Sequence, residues 1–207
     1  MLKIYGRANS INVRKVLWMC NEVGVRFERE DIGRGFAPTD TPEYLAINPM
    51  GLIPAIDDDG AVVAESNTIV RYLAAKSGNE TLLPLNPMGR AHVEQWMDWQ
   101  AAEMTRPLRT LFIGGHLGME PHSAPERQAA ALAELSKHMS IVDGQIGRTD
   151  GHIVGGPFTV ADVAVGVVVH RWFALDIERD NFANLAAYYD RLSERPGYRA
   201  HVRNELP

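Results

Sequence analysis

The chain has 207 residues, 45% of them hydrophobic, and a formal net charge of −5 at pH 7. That length accommodates one large domain or two small ones around a real core, and interspersed charges without a basic arm or stripe argue against nucleic acid as the main partner. The opening MLKIYGRANS lacks a signal-peptide apolar region, no run of about 18 apolar residues exists, and the single Cys20 excludes an internal disulfide or CxxC redox pair, so a cytoplasmic protein without a membrane partner is expected.

In chain order, LKIY at 2–5 reads as a short strand. Residues 12–23 carry Val13, Val16, Leu17, Cys20 and Val23 at helical spacing, with Gly24 as a stop signal. Cys20 falls on the apolar face and reads as core. RFEREDI at 26–32 alternates only loosely, which suits an edge strand. LIPAI at 52–56 and AVVAE at 61–65 flank the turn DDDG at 57–60 and predict a hairpin. NTIVRYLAAKSG then predicts a helix ending near Gly78. The order is that of a small α/β domain over residues 1–80.

Beyond LLPLNP at 82–87 the strand signals largely disappear, and 88–207 reads as an all-helical domain. Long amphipathic helices are expected over 88–113 and 124–147, with the loop GGHLGMEPHSAP between them. A second loop, DGHIVGGP at 150–157, precedes helices over 160–175 and 182–194. VAVGVVVH suits a strand by propensity, but Thr159 followed three residues later by Asp162 is a capping-box variant, which predicts a helix. A helix apolar on nearly every face belongs at the centre of its domain.

Two local features stand out in NPMGLIPAIDDDGAVVAESNTIVRYL, residues 48–73. Pro54 lies in an apolar run although a proline cannot donate to a sheet ladder, and Glu65 and Ser66 stand together at a helix start. By themselves they read as a trans edge proline and as ordinary capping, with Ser66 at the N-cap and an acid beside the positive end of the dipole.

In sequence order, NPMGLIPAI, ESNTIVRYL and GGPFTVAD resemble the cytosolic glutathione transferase family over essentially the whole chain. The resemblance implies a thioredoxin-like N-terminal domain and an all-α C-terminal domain, with glutathione as co-substrate. It implies a cis Pro54, pairing of the Ile53 backbone with the cysteinyl part of glutathione, and binding of the γ-glutamyl end by Glu65 and Ser66. A glutamate for the ammonium and a hydroxyl plus N–H at a helix N-terminus for the carboxylate are chemically apt. Thr159 and Asp162 keep a folding role.

The resemblance puts the thiol-facing group in GRANSINVRK, where Ser10 or Asn12 would donate to the sulfur. The spacing of Ser10 and Arg14 resembles theta-like serine enzymes, and Tyr5 is a lesser candidate. Leu52 and Met50 depart from the polar residues common at those places, and the glycine-end contacts within 35–45 stay unassigned. Family geometry suggests Met104, Arg106, Phe112, His116 and Trp172 for a pocket that takes a small hydrophobic electrophile. It also implies a homodimeric detoxification enzyme, the alternative being a non-catalytic binding or regulatory relative. The seven histidines offer no metal-ligand spacing, so no metal is expected. Trp96 and Trp99 read as packing residues.

Overall fold

The computed structural model describes residues 1–149 and 151–204. Its first part has β1 (Leu2–Tyr5), α1 (Ile11–Glu22), β2 (Phe27–Glu30), α2 (Pro42–Ile47), β3 (Ala55–Asp58), β4 (Ala61–Ala64) and α3 (Ser66–Ser77). The sheet order is β2-β1-β3-β4, with β1 and β2 parallel and the other neighbours antiparallel. β2 is therefore an edge strand, as its loose alternation predicts.

The hairpin is shorter than expected and shifted. β3 begins at Ala55, so Ile53 and Pro54 precede the strand instead of lying within the predicted 52–56. The turn is closed by Asp59 at φ 54° and Gly60 at φ 92°, the left-handed pair that a two-residue hairpin needs. Gly78 ends α3 at φ 69°, as its sequence position suggests.

The helix α2 is absent from the sequence expectation, although TPEY carries its start signal. Thr41 caps it by accepting from the Tyr44 N–H at 3.2 Å, and Pro42 occupies the first turn. Tyr44 Oη and Asn48 Nδ2 then donate to the Leu52 carbonyl at 2.6 and 2.7 Å. α2 thus holds the approach to Ile53 in place.

The helical part contains α4 (Pro87–Trp99), α5 (Thr105–Thr110), α6 (Pro125–Thr149), α7 (Val160–Ala174), α8 (Ala183–Ser193) and α9 (Pro196–His201). The predicted single helix over 88–113 is broken by two π-helical segments, Gln100–Met104 and Leu111–His116. The second carries the helix through three residues expected in the loop. Asp150 in the predicted second loop, and 205–207 of the predicted helical domain, lie outside the described residues.

α7 is a helix buried at nearly every position, despite its valine-rich sequence. A capping box fixes its start: Asp162 Oδ2 accepts from Thr159 N–H at 2.8 Å, and Thr159 Oγ1 accepts from the Ala161 N–H at 3.3 Å. Asp162 Oδ1 also accepts from Ile153 N–H and Tyr188 Oη, at 2.9 and 2.8 Å. Burial pushes this carboxyl above the ordinary carboxylate range, and the donated hydrogen bonds pull it back.

The two parts share one apolar core. Trp18 of α1 packs on Phe158 and Tyr198, and a Cβ at Gly166 would lie only 3.2 Å from its ring. Cys20 is fully buried there, its thiol pushed up to about 12 by desolvation. Arg195 reaches Glu22, tying α9 to α1.

Candidate functional site

Where β1 ends, the chain turns into α1 through Gly6–Ser10, beside a cavity of about 160 Å³. Ser10 and Asn12 form part of one wall, and Leu108, Phe112 and Ile113, from α5 and the π segment after it, form part of another. Ser10 occupies the N-cap of α1 with extended backbone (φ −82°, ψ 126°), yet its side chain makes no capping hydrogen bond. No acidic residue lies in the first turn of α1, so the positive end of the helix is not offset by a carboxylate of its own. Ser10 is buried and Asn12 half-buried. A hydroxyl, an amide and a helix N-terminus thus meet at one wall, an arrangement that favours an anion.

The Ile53–Pro54 peptide bond is cis. Past the β4 turn, Glu65 sits at the N-cap position of α3, with φ 69° and without a side-chain capping bond. Ser66, expected as the cap, is instead the first helical residue. A non-glycine held in the left-handed region without a capping bond costs stability and points to a role beyond capping. Glu65 is exposed and Ser66 buried.

Beneath this helix start lies a residue that the sequence does not reveal. Lys15 is 2% exposed and donates to Gln100 Oε1 at 2.7 Å, Asn67 Oδ1 at 3.0 Å and Ser66 Oγ at 3.5 Å. Desolvation lowers its pKa to about 7, and the charge of Glu65 opposes that fall. Asn67 and Gln100 belong to α3 and to the first π segment, so the network joins the Glu65–Ser66 corner to the cavity, which Gln100 also lines. A π-helical insertion at such a place is a frequent mark of a functional site.

The predicted electrophile residues scatter. Phe112 lines the cavity, and exposed His116 stacks on it at 5.2 Å without lining it. Met104 and Trp172 are fully buried in the core. Arg106 turns outward and pairs with Glu134 at 2.6 Å. The π insertion at 100–104 changes the helical phase, which brings Leu108 and Arg109 to the cavity and takes Arg106 away.

Tyr5 packs against Tyr44 in a small cluster on the other sheet face, apart from the cavity lining. Among the described residues, no group of three or more His, Cys, Asp or Glu is arranged to hold a metal ion. Trp96 and Trp99 pack edge to face at 5.4 Å on an open surface beside Ile141.

Residues 9–76 match the glutathione S-transferase N-terminal domain family, and residues 125–191 match the C-terminal domain family. The chain is 32% identical to glutathione S-transferase GstB of Escherichia coli, over 98% of both chains. The chain belongs to the glutathione S-transferase family. The theta class glutathione S-transferase of Xanthomonas axonopodis pv. citri, solved with glutathione bound, superposes at a TM-score of 0.91 with 37% identity, covering 100% of this chain and 99% of that one. A delta-class glutathione transferase of Nilaparvata lugens shares the fold at a TM-score of 0.89 with 24% identity, covering 99% and 94%. The transferase fold accounts for both halves of the molecule: a thioredoxin-like sheet domain and a helical C-terminal domain.

Proposed function

We propose that the protein binds glutathione in its first domain, ionises the thiol and transfers it to a small electrophile in the adjoining cavity. The observation that carries this reading is the Ser10 hydroxyl, free of any capping bond on the cavity wall at the start of α1. In the proposed complex, Ser10 donates to the thiolate, with Asn12 as a second donor. Glu65 takes the γ-glutamyl ammonium, and Ser66 takes its carboxylate at the α3 N-terminus. Lys15 under Ser66, only partly charged at neutral pH, adds positive charge on the carboxylate side in its protonated form. The backbone of Ile53, ahead of Pro54, pairs with the cysteinyl segment as a short added strand. The domain boundary falls between residues 80 and 88 on this reading.

Glu65→Ala and Ser66→Ala are each expected to weaken glutathione. A lost hydrogen bond to a charged ligand group costs about 1.5–3 kcal/mol, or roughly 10- to 150-fold in affinity. Isothermal calorimetry checks this, and unchanged affinity in both variants reduces the pair to structural residues. Turnover with glutathione and a panel of aryl halide, isothiocyanate and hydroperoxide separates an enzyme from a non-catalytic binding relative.

We further propose a cytoplasmic, homodimeric detoxification enzyme, with α3 and α4 at the dimer interface. The open Trp96, Trp99 and Ile141 surface supports that pairing, since Ile141 is 41% exposed beside two partly buried tryptophans. Light scattering at micromolar concentration is expected to report twice the 23.0 kDa chain mass, and a monomer mass defeats the assignment.

A further inference from the structure

The cavity carries more positive charge than a thiolate beside Ser10 requires. Arg7, Arg34, Arg109 and Arg171 all line it, and among the described residues no aspartate or glutamate does. Among the described residues, none of these four arginines forms an ion pair with a carboxylate. Arg171, on the central helix α7, is only 5% exposed. Its guanidinium lies 3.9 Å from the ring centre of Phe112, and its Nε is buried without a hydrogen-bond partner among the described residues. Burial, together with the charges of Arg14, Arg7 and Arg34, lowers its pKa to about 9. A buried guanidinium facing like charges is stabilised by an incoming anion, and its planar fork suits a carboxylate.

Arg7 and Arg34 come from loops of the sheet domain. Arg109 and Arg171 come from the helical domain, as do the apolar Leu108, Phe112 and Ile113, while Ser10 and Asn12 stand on the other wall. We propose that the electrophile is an anion: a carboxylate-bearing compound whose charged group is held by Arg171 and Arg109 and whose apolar body lies against Leu108 and Phe112. This deepens the transferase reading and rests on it. With an aryl chloride of this class, the glutathione thiol first loses its proton to solvent, the thiolate sulfur then forms a C–S bond at the ring carbon, and the C–Cl bond breaks with chloride leaving with the bonding pair. No oxidant or reductant is involved.

The test compares a chloronitrobenzoate, its chlorine ortho to the nitro group, with the corresponding benzamide. Each kcat/KM is divided by the uncatalysed rate with free glutathione thiolate. The normalised ratio is expected to favour the carboxylate by about tenfold or more, and to fall towards one in Arg171→Gln and in Arg109→Gln. Arg109 is exposed, so its variant reads the effect without disturbing a buried position. Raising the salt concentration should narrow the ratio in the wild type. Equal or better turnover of the benzamide overturns the proposal and leaves the transferase reading intact. Competition of the benzoate with glutathione rather than with the benzamide also overturns it, because the arginines then serve glutathione's own carboxylates. Bound glutathione with turnover of neither compound is equally fatal to it. Failure to bind glutathione by calorimetry brings down the transferase reading itself.

Discussion

Replacing Ser10 by alanine is expected to lower kcat/KM for conjugation by about tenfold at neutral pH, and to raise the apparent thiol pKa by about one to two units. A free cysteine thiol titrates near 8.5, so at pH 7 only a few per cent is thiolate. A hydrogen bond to the sulfur anion contributes about 1.5–3 kcal/mol, and the start of α1 adds about 0.3–1 kcal/mol. At 1.36 kcal/mol per unit, the sum brings the bound thiol to about 6–7. The Ser10 hydroxyl is available for this because it does not cap its own helix. A pH–rate profile reads the effect: the alanine variant should need a higher pH for half-maximal rate, with a modest loss of glutathione affinity at neutral pH. Asn12→Ala, run in parallel, apportions the role. Full activity in Ser10→Ala with loss in Asn12→Ala moves the donor to Asn12, and full activity in both defeats the mechanism.

Asp162→Ala is expected to destabilise the protein by about 3–5 kcal/mol, a large share of the stability of an ordinary domain. The carboxylate is fully buried, and its removal leaves the N–H groups of Ile153 and Thr159 and the hydroxyl of Tyr188 without their acceptor. Each buried donor left unsatisfied costs about 1–3 kcal/mol. Thr159→Ala, which removes the cap acceptor of the Ala161 N–H and the hydroxyl donated to Asp162 Oδ2 at 3.2 Å, should cost about 0.5–2 kcal/mol and leave glutathione affinity nearly unchanged. Urea unfolding of both variants checks the order. A loss below about 1 kcal/mol for Asp162→Ala contradicts the view that this cap anchors the central helix.

The site was legible in parts. Glu65 and Ser66 stand together at a helix start, where by themselves they read as caps, and it is the family resemblance that marks them, with Ser10 and Asn12, as candidates. Lys15 does not stand out, because nothing in a helix sequence distinguishes a lysine in water from one folded under a neighbouring helix. Its burial depends on Asn67 and Gln100, residues 52 and 85 positions away. The arginines of the cavity escape notice for the same reason. Arg171 belongs to a valine-rich helix and Arg109 to an amphipathic one, and neither sequence tells which cation faces the cleft.

Local interactions explain what the sequence determined by itself. The left-handed turn at Asp59–Gly60, the Gly78 stop and the Thr159–Asp162 box act over at most a few residues, so they hold α3 and α7 to their expected places. The tertiary structure decided the rest. It started β3 after Pro54, because the Leu52 carbonyl is taken by Tyr44 and Asn48 of the α2 region. It also decided which side chains line the cavity. The π segment at Gln100–Met104 shifts the phase of the helix after Trp99, and a single extra residue in a turn rotates the following side chains by about 100°. Arg106 therefore meets Glu134 at the surface, and Arg109 and Phe112 face the cleft. That phase is set by packing between α5, α6 and α7, which no periodicity within one helix encodes.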